Sequence, residues 1–374
     1  MGGYNVLIPD VCRNLLPQTT LPLMDALKET ANTPVVMEMH SITAMYRQFR
    51  YESHGSYEIF KFYFKDLMKQ YNVDFGLSVG LGCIMEDEQK GESHHIIDEA
   101  GIPNLIYLHC RDRRIAEKLK EMGAEAWEHS FIATSSRALA DLLLDQGLSG
   151  TVHCPLGTSF RLFYPATSPP ENAAYPLLND DPRLTADFDV SFVGGYCPGR
   201  ERYLQALSEA GVALAVFGDG RWKDSKLLRG HWRNEVRYLT ELNTVYNASK
   251  INLDLPHDEC LFPDYVSSRV YDCLASGSFL LTHRRDELEE TVEVDKEVAA
   301  FEGEEELLRS VHYYLGNEAA RLKVAARGHR RIAAGAGWVK RLALLMPRLE
   351  MQLLGSPGVP ARDSALAADN VAVL

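Results

Sequence analysis

The sequence predicts an α/β protein built from two Rossmann-like domains facing each other across a cleft. Three observations carry this. Strand-like apolar runs alternate with helical stretches along most of the chain; one Pro-, Asn-, Asp-, Ser- and Thr-rich stretch, Tyr164 to Asp187, interrupts the alternation; and 374 residues suffice for two domains. The expected division is a first domain over 1–165, a linker over 166–187 and a second domain over 188–335. A helix over 336–354 then reaches back to the first domain, and a small polar tail covers 355–374.

In the first half, Tyr4 to Pro9 reads as a strand, Leu21 to Lys28 as a helix and Pro34 to Met39 as a second strand. An aromatic-rich segment with Tyr46, Phe49 and Tyr51 ends at the turn His54-Gly55-Ser56. From Tyr57 to Tyr71 the apolar positions Phe60, Phe64, Leu67 and Met68 recur at helical spacing, a stripe that fits core packing or, in part, an acceptor surface. Val73 to Val79 is a strand followed by Gly80-Leu81-Gly82. Met85 stands where a third glycine would complete the dinucleotide fingerprint, so the pair marks a tight turn or a close backbone approach. Ile102 to His109 is the next strand, with His109 and Asp112 at the carboxyl end, where open α/β sheets bind ligands. His109 suits either a polar, acid–base role in a cleft or a satisfied structural one. A helix over Arg113 to Met122, a strand over Phe131 to Thr134, a helix over Ser135 to Gln146 and a strand over Val152 to Leu156 complete this half.

The second half repeats the pattern. Phe188 to Val193 is a strand running into Gly194-Gly195, Glu201 to Ala210 a helix, and Val212 to Phe217 a strand running into Gly218-Asp219-Gly220-Arg221. Arg233 to Asn247 reads as largely helical and Lys250 to Leu255 as a strand. Val298 to Phe301 is a small strand, and helices follow over Glu304 to Leu315, Glu318 to Ala334 and Trp338 to Leu354.

The stretch Asp264 to Thr282 concentrates the chemistry. Ser267 or Ser268 can cap a helix, Gly277 falls where a left-handed C-terminal cap is needed, and Ser278 to Thr282 reads as a buried strand. A helix start after a strand is an anion site, and Arg269 adds a fixed charge there. Asp264 and Asp272 lie eight residues apart around that start and can accept hydrogen bonds from sugar hydroxyls. The plainer alternative is a strand–helix–strand unit with surface acids. Gly194, Gly195, Arg200, Arg202, Gly218, Arg221, Ser267, Ser268 and Arg269 all fall at strand ends. Such a basic, glycine-bearing set in a chain of net charge −13 points to a small anion such as a diphosphate.

Composition narrows the classes. The negative charge argues against nucleic acid or an anionic membrane as the main partner. No apolar run of about 18 residues suggests a membrane span, and the first ten residues lack the pattern of a secretory leader. Seven scattered cysteines with no C-x-x-C read as reduced thiols in a cytoplasm, and no metal spacing occurs among the twelve histidines. Neither an ATP-hydrolysing P-loop nor an esterase elbow is present.

The run Arg269-Val-Tyr-Asp-Cys-Leu-Ala-Ser-Gly-Ser-Phe-Leu-Leu-Thr282, with Glu287-Leu288 after it, resembles the group 1 glycosyltransferases, and most of all their CgeB-like spore-maturation branch. Ser191 to Gly195, Tyr246 to Leu253, Pro155 to Pro165 and Glu304 to Gly328 are similar to the same branch. The likeness spans roughly 105–335 and is strongest over 246–328. It implies a bacterial, metal-independent GT-B-type enzyme whose second domain binds a nucleotide sugar (UDP-, GDP- or dTDP-linked) and whose first domain meets an unidentified acceptor. It implies Arg200, Arg202 and Arg269 at the diphosphate, Asp272 at the ribose and Asp264 at the donor sugar, both acids being Asp where the related retaining enzymes carry Glu. The expected reaction is glycosyl transfer, with retention; under inversion His109 or Asp112 would be the base. Two alternatives stand beside it: a nucleotide-sugar epimerase, and a non-catalytic nucleotide-sugar-binding or assembly protein on the same fold.

Overall fold

The computed structural model describes residues 3–10, 17–53, 55–81, 83–87, 91–108, 113–185, 188–234, 241–257 and 265–355. They form two compact units. One contains the described residues up to Cys154 and those from Val339 onward; the other is Pro155–Trp338.

The first unit runs β1 (Asn5–Asp10), α1 (Pro17–Glu29), β2 (Thr33–Glu38), α2 (Met39–Ser53), α3 (Tyr57–Gln70), β3 (Phe75–Val79), β4 (Ile84–Asp87), β5 (Glu92–His95), α4 (Ile96–Glu99), β6 (Asn104–Leu108), α5 (Arg113–Met122), β7 (Ser130–Thr134), α6 (Arg137–Asp145) and β8 (Thr151–His153). Six strands pair in parallel in the order β2-β1-β3-β6-β7-β8. The residues of β3, β6 and β7 are buried throughout, the pattern of strands covered on both faces. Ser56 caps α3 through Ile59 N, and the helix buries Phe60, Phe64 and Met68 as its spacing requires.

Two elements of this unit differ from the expectation. The aromatic segment before His54 is the helix α2, with Ile42 and Tyr46 on its buried side. The stretch around Met85 is an antiparallel hairpin, β4 on β5, that follows the glycine turn.

The second unit runs α7 (Pro182–Thr185), β9 (Phe188–Val193), α8 (Pro198–Glu209), β10 (Leu214–Phe217), β11 (Trp232–Asn234), α9 (Leu242–Ala248), β12 (Ser249–Asp254), α10 (Ser268–Ala275), β13 (Leu280–His283), α11 (Leu288–Thr291), β14 (Ala299–Phe301), α12 (Glu304–Gly316) and α13 (Glu318–Gly335); α14 (Trp338–Gly355) closes the described chain. Its sheet is also parallel, in the order β11-β10-β9-β12-β13-β14. Counted along the chain this is 3-2-1-4-5-6, the Rossmann order, and it places the topological switch point between β9 and β12. Arg233, expected in a helix, lies in the edge strand β11. Residues 166–185 belong to this unit and are tied to α9: Ala166 N donates to Asn247 Oδ1 at 2.8 Å and Leu178 N to Thr244 Oγ1 at 2.9 Å. Leu184 is fully buried against Phe188, Phe217 and Val245.

Candidate functional site

The carboxyl ends of β9 and β12 meet where the strand order reverses, and two arginines join them. Arg200, in the first turn of α8, donates Nε to Pro256 O at 3.0 Å and Nη2 to Leu255 O at 3.1 Å, beyond β12. Its Nη1 reaches Gly195 O, beyond β9, at 3.0 Å. Arg269, in the first turn of α10, donates Nη2 to Val193 O at 2.5 Å and Nη1 to the Asp254 carboxylate. Both guanidiniums lie over the Phe192 ring, at 5.4 and 5.5 Å from its centroid.

Asp254 is the hub. It ends β12 with no exposed surface and receives four side-chain donors. Ser267 Oγ at 3.0 Å and Arg269 bond Oδ1; Thr282 Oγ1 at 2.9 Å and Arg285 Nη1 at 2.6 Å bond Oδ2. Burial alone would push this carboxyl up; the Arg285 and Arg269 guanidiniums outweigh it and hold the group well below the usual carboxylate range. Burial likewise opposes the charge on Arg269, and Asp254 more than restores it. Two guanidiniums therefore share one carboxylate, leaving a net positive charge at the switch point. Arg269 keeps 16% of its side chain exposed against 6% for Arg285, so Arg269 is the more open to a ligand. Burial and the Arg285 charge also push the nearby His283 imidazole down.

Ser267 is the N-cap of α10 by backbone geometry, but its hydroxyl turns to Asp254 and makes no capping bond. Ser268 is the first helical residue. Val270 N bonds Ser267 O at 3.1 Å, and the helix starts at the carboxyl edge of the sheet with no side-chain cap, the arrangement that favours an anion. At the other end Gly277 adopts φ +69°, and Gly277 N and Ser278 N bond Leu274 O and Cys273 O. Asp272 is buried within the helix, 1% exposed, and its Oδ1 accepts from Thr158 Oγ1 at 2.8 Å.

The remaining glycines and arginines divide. Gly194 N bonds Phe217 O and Gly194 O accepts from Trp222 Nε1 at 2.9 Å, fixing the turn after β9. Gly218 has φ +139°, and a Cβ there would lie 2.0 Å from Gly194 O, so the two turns touch through bare backbone. Gly195 lies beside Asp219, whose carboxylate accepts from Tyr196 N at 2.8 Å. Arg221 is mostly exposed and chelates Asp219 at 3.0 and 2.9 Å. Arg202 is also exposed and pairs with Glu304 at 2.5 Å, on the outward side of α8. Arg200 and Arg269 are therefore gathered at the switch point, whereas Arg202 and Arg221 are engaged by acids on the surface. His109, Asp112 and Asp264 lie outside the described residues.

Asp254 and Arg285 belong to the site but were not singled out from sequence. Both left a trace: an acid at the end of an apolar strand run, I-N-L-D-L, must find cationic partners, and Arg284-Arg285 follows the next strand directly. Among the described residues no group of three potential metal-ligating side chains occurs, and no helix is long and apolar enough to cross a membrane.

Two Rossmann-like units, the second in 3-2-1-4-5-6 order with its arginines at the switch point, define the GT-B type of fold. Residues 200–347 match the model of a family described as glycosyl transferase-like. No curated protein sequence matches the chain. Among solved structures, Anabaena Alr3699/HepE in complex with UDP and glucose is similar at TM-score 0.62 and 10% identity, covering 93% of this chain and all of that one. Sucrose-phosphate synthase from Thermosynechococcus elongatus is similar at TM-score 0.62 and 13% identity, with 94% and 100% covered. The glycosyltransferase from Rickettsia africae is similar at TM-score 0.61 and 13% identity, with 94% and 99% covered.

Proposed function

We propose that this protein is a glycosyltransferase of the CgeB-like branch that moves a sugar from a nucleotide-sugar donor to an acceptor, without a metal and with retention. The carrying observation is the pair of guanidiniums, Arg200 and Arg269, joining the ends of β9 and β12 beside the uncapped start of α10. A departing nucleoside diphosphate develops charge on its oxygens. Donors fixed before the reaction stabilise that charge without reorganising. Arg269 supplies the reachable cation, Arg285 and Asp254 hold it in place, and glycine at 194 leaves room for the Phe192 ring and the Arg269 guanidinium, which a Cβ there would meet at 2.7 and 3.2 Å. The surface placement of Arg202 and Arg221 favours Arg200 and Arg269 as the diphosphate pair. Asp272 is sealed against Thr158, which favours the start of α10 rather than this carboxylate as the nucleotide contact. His109, Asp112 and Asp264 remain the assigned catalytic side chains, and the first unit the assigned acceptor side. The four described cysteines are buried and form no disulfide, in keeping with a reducing, cytoplasmic setting.

The UDP in the Anabaena structure makes uridine the first base to try. Titration calorimetry with UDP, GDP and dTDP should show one of them binding the wild type and binding Arg269→Ala at least tenfold more weakly; unchanged affinity removes Arg269 from the site. Incubating a UDP-sugar without acceptor then separates transfer from epimerisation, because only an epimerase returns a changed sugar still joined to its nucleotide. Turnover by neither route would leave a binding protein.

A further inference from the structure

The chain passes from the first unit to the second at Cys154–Pro155 and returns at Trp338–Val339. Within the second unit these two crossings are stitched together. Thr158 N donates to Ala336 O and Trp338 N to Thr158 O, both at 3.0 Å, so that Thr158 and Gly337 form a parallel bridge. There is no slack in the strap: a Cβ on Gly157 would lie 2.9 Å from the Trp338 ring, and one on Gly337 3.3 Å from Phe160.

The same strap is bolted to α10. Thr158 Oγ1 donates to Asp272 Oδ1 at 2.8 Å, with both residues 1% exposed. One turn on, Ser276 Oγ donates to Asn243 Oδ1 at 2.7 Å, which also accepts from Tyr164 N at 3.4 Å, and Gly277 abuts Pro165. α10 is a short rigid rod, buried from Val270 to Ala275, and its other end presents Arg269 and the uncapped N–H groups at the switch point. A displacement at either end must be transmitted, because a close-packed rod has no internal freedom to absorb it.

We propose that Thr158 is a positioning residue whose hydroxyl pins Asp272 to the strap joining the two units, so that an anion seated at the start of α10 and the placement of the strap bias one another. Asp272 thereby acts as the anchor of the α10 rod to the strap. The ligand half of this inference rests on the diphosphate reading above, whereas the pin itself does not. Any ligand that prefers one placement of α10 must shift the strap by the same coupling free energy.

Hydrogen exchange on the full chain tests both halves, with Thr158→Val, which removes the hydroxyl at nearly equal volume, and Thr158→Ser, which restores it. Without ligand, Thr158→Val should speed exchange at the amides of Thr158 and Trp338 and at the hydrogen-bonded amides of Val270 and Ser276 on α10 about tenfold, as expected for losing a buried bond to a carboxylate, and Thr158→Ser should stay near wild type. Acceleration confined to the strap, with α10 unchanged, overturns the pin. With UDP, or whichever diphosphate calorimetry selects, wild type and Thr158→Ser should slow exchange at Thr158 and Trp338, and Thr158→Val should bind with little change in affinity yet lose that slowing. Equal slowing in Thr158→Val overturns the coupling. A wild type that binds no diphosphate overturns the functional reading, and the ligand-free comparison still decides the pin.

Discussion

At the scale of single residues, Asp254 concentrates more electrostatic work than any other described side chain of the second unit. It is one acid without solvent, held ionised by two guanidiniums and two hydroxyls. Removing one guanidinium leaves Asp254 with a single cationic partner and one buried carboxylate oxygen short of a donor, at a cost on the order of 2 kcal/mol. Arg285→Met and Arg269→Met should both lower the unfolding free energy measured in urea by about that much, but only Arg269→Met should also lose diphosphate binding, since Arg285 is the more buried of the two. The pH dependence has a definite sign. The Asp254 carboxyl is depressed in the folded state, so its contribution is complete above the unfolded value of about 4 and is lost as pH falls below that. Urea midpoints of the second unit should therefore drop between about pH 4 and pH 2. Asp254→Asn should begin less stable and show a flatter acid limb; an equally steep limb in the variant would place the acid sensitivity elsewhere.

At the scale of elements, α4 shows how two buried ionisable groups can oppose each other. His95, its N-cap, has no exposed surface, with Nδ1 3.1 Å from Ala126 O, and burial pushes its imidazole down to about 4. Between pH 6.5 and 4 the unfolded chain then holds a proton the folded one refuses, so acid removes stability, by about 3 kcal/mol for a shift of that size. Asp98, on the same helix and accepting from His129 N at 2.9 Å, is pushed up by burial, so the folded state gains a proton as pH falls and stability moves the other way. In the wild-type first unit the two therefore offset one another in part between pH 6 and 4. Asp98→Asn keeps the carbonyl that accepts from His129 but removes the opposing titration. It should lose roughly 3 kcal/mol over that range in urea melts; a level profile in the variant would mean that His95 is not the sensitive group.

The alternation of strands and helices was legible because both parallel sheets are covered on two faces, which leaves plain apolar runs between helical stripes. What escaped was short or polar. The β4–β5 hairpin pairs Glu86 and Asp87 with Ser93 and Glu92, so no apolar alternation marks it. Strand β11 has only three residues. In α2 the positions Met39, Ile42, Tyr46 and Phe49 do recur at helical spacing, but the density of aromatics obscured them. At the site, the start and end of α10 were readable from Ser267 and Gly277, whose backbone demands are local. The partner of each arginine was not, because Asp254 on Arg269, Glu304 on Arg202 and Thr158 on Asp272 are choices made by tertiary packing across tens of residues.

At the scale of the whole molecule, the two units are unequal in how the chain builds them. Among the described residues the second is one continuous stretch, Pro155–Trp338, whereas the first borrows its last helix from the far end of the chain. That borrowed helix is not decorative. Leu342, Leu345, Met346 and Leu349 of α14, spaced i, i+3, i+4 and i+7, are each no more than 4% exposed. Burying four such side chains contributes on the order of 6–12 kcal/mol, an upper figure because the unfolded chain already hides part of that area, and it is comparable with the whole stability of a domain. Cutting the chain after Cys154 therefore uncovers an apolar surface in the first unit, while a fragment of Pro155–Trp338 keeps its sheet, the Asp254 network and the start of α10. The fragment should fold cooperatively and bind the diphosphate selected by calorimetry within about threefold of the full chain, its melting temperature rising with ligand by mass action. Residues 1–154 alone should bind a hydrophobic dye and aggregate, and should be rescued by adding back a peptide of residues 339–355. A fragment of the second unit that folds but binds no diphosphate, while the full chain does, would show that the first unit supplies part of that site and that Arg200 and Arg269 do not suffice.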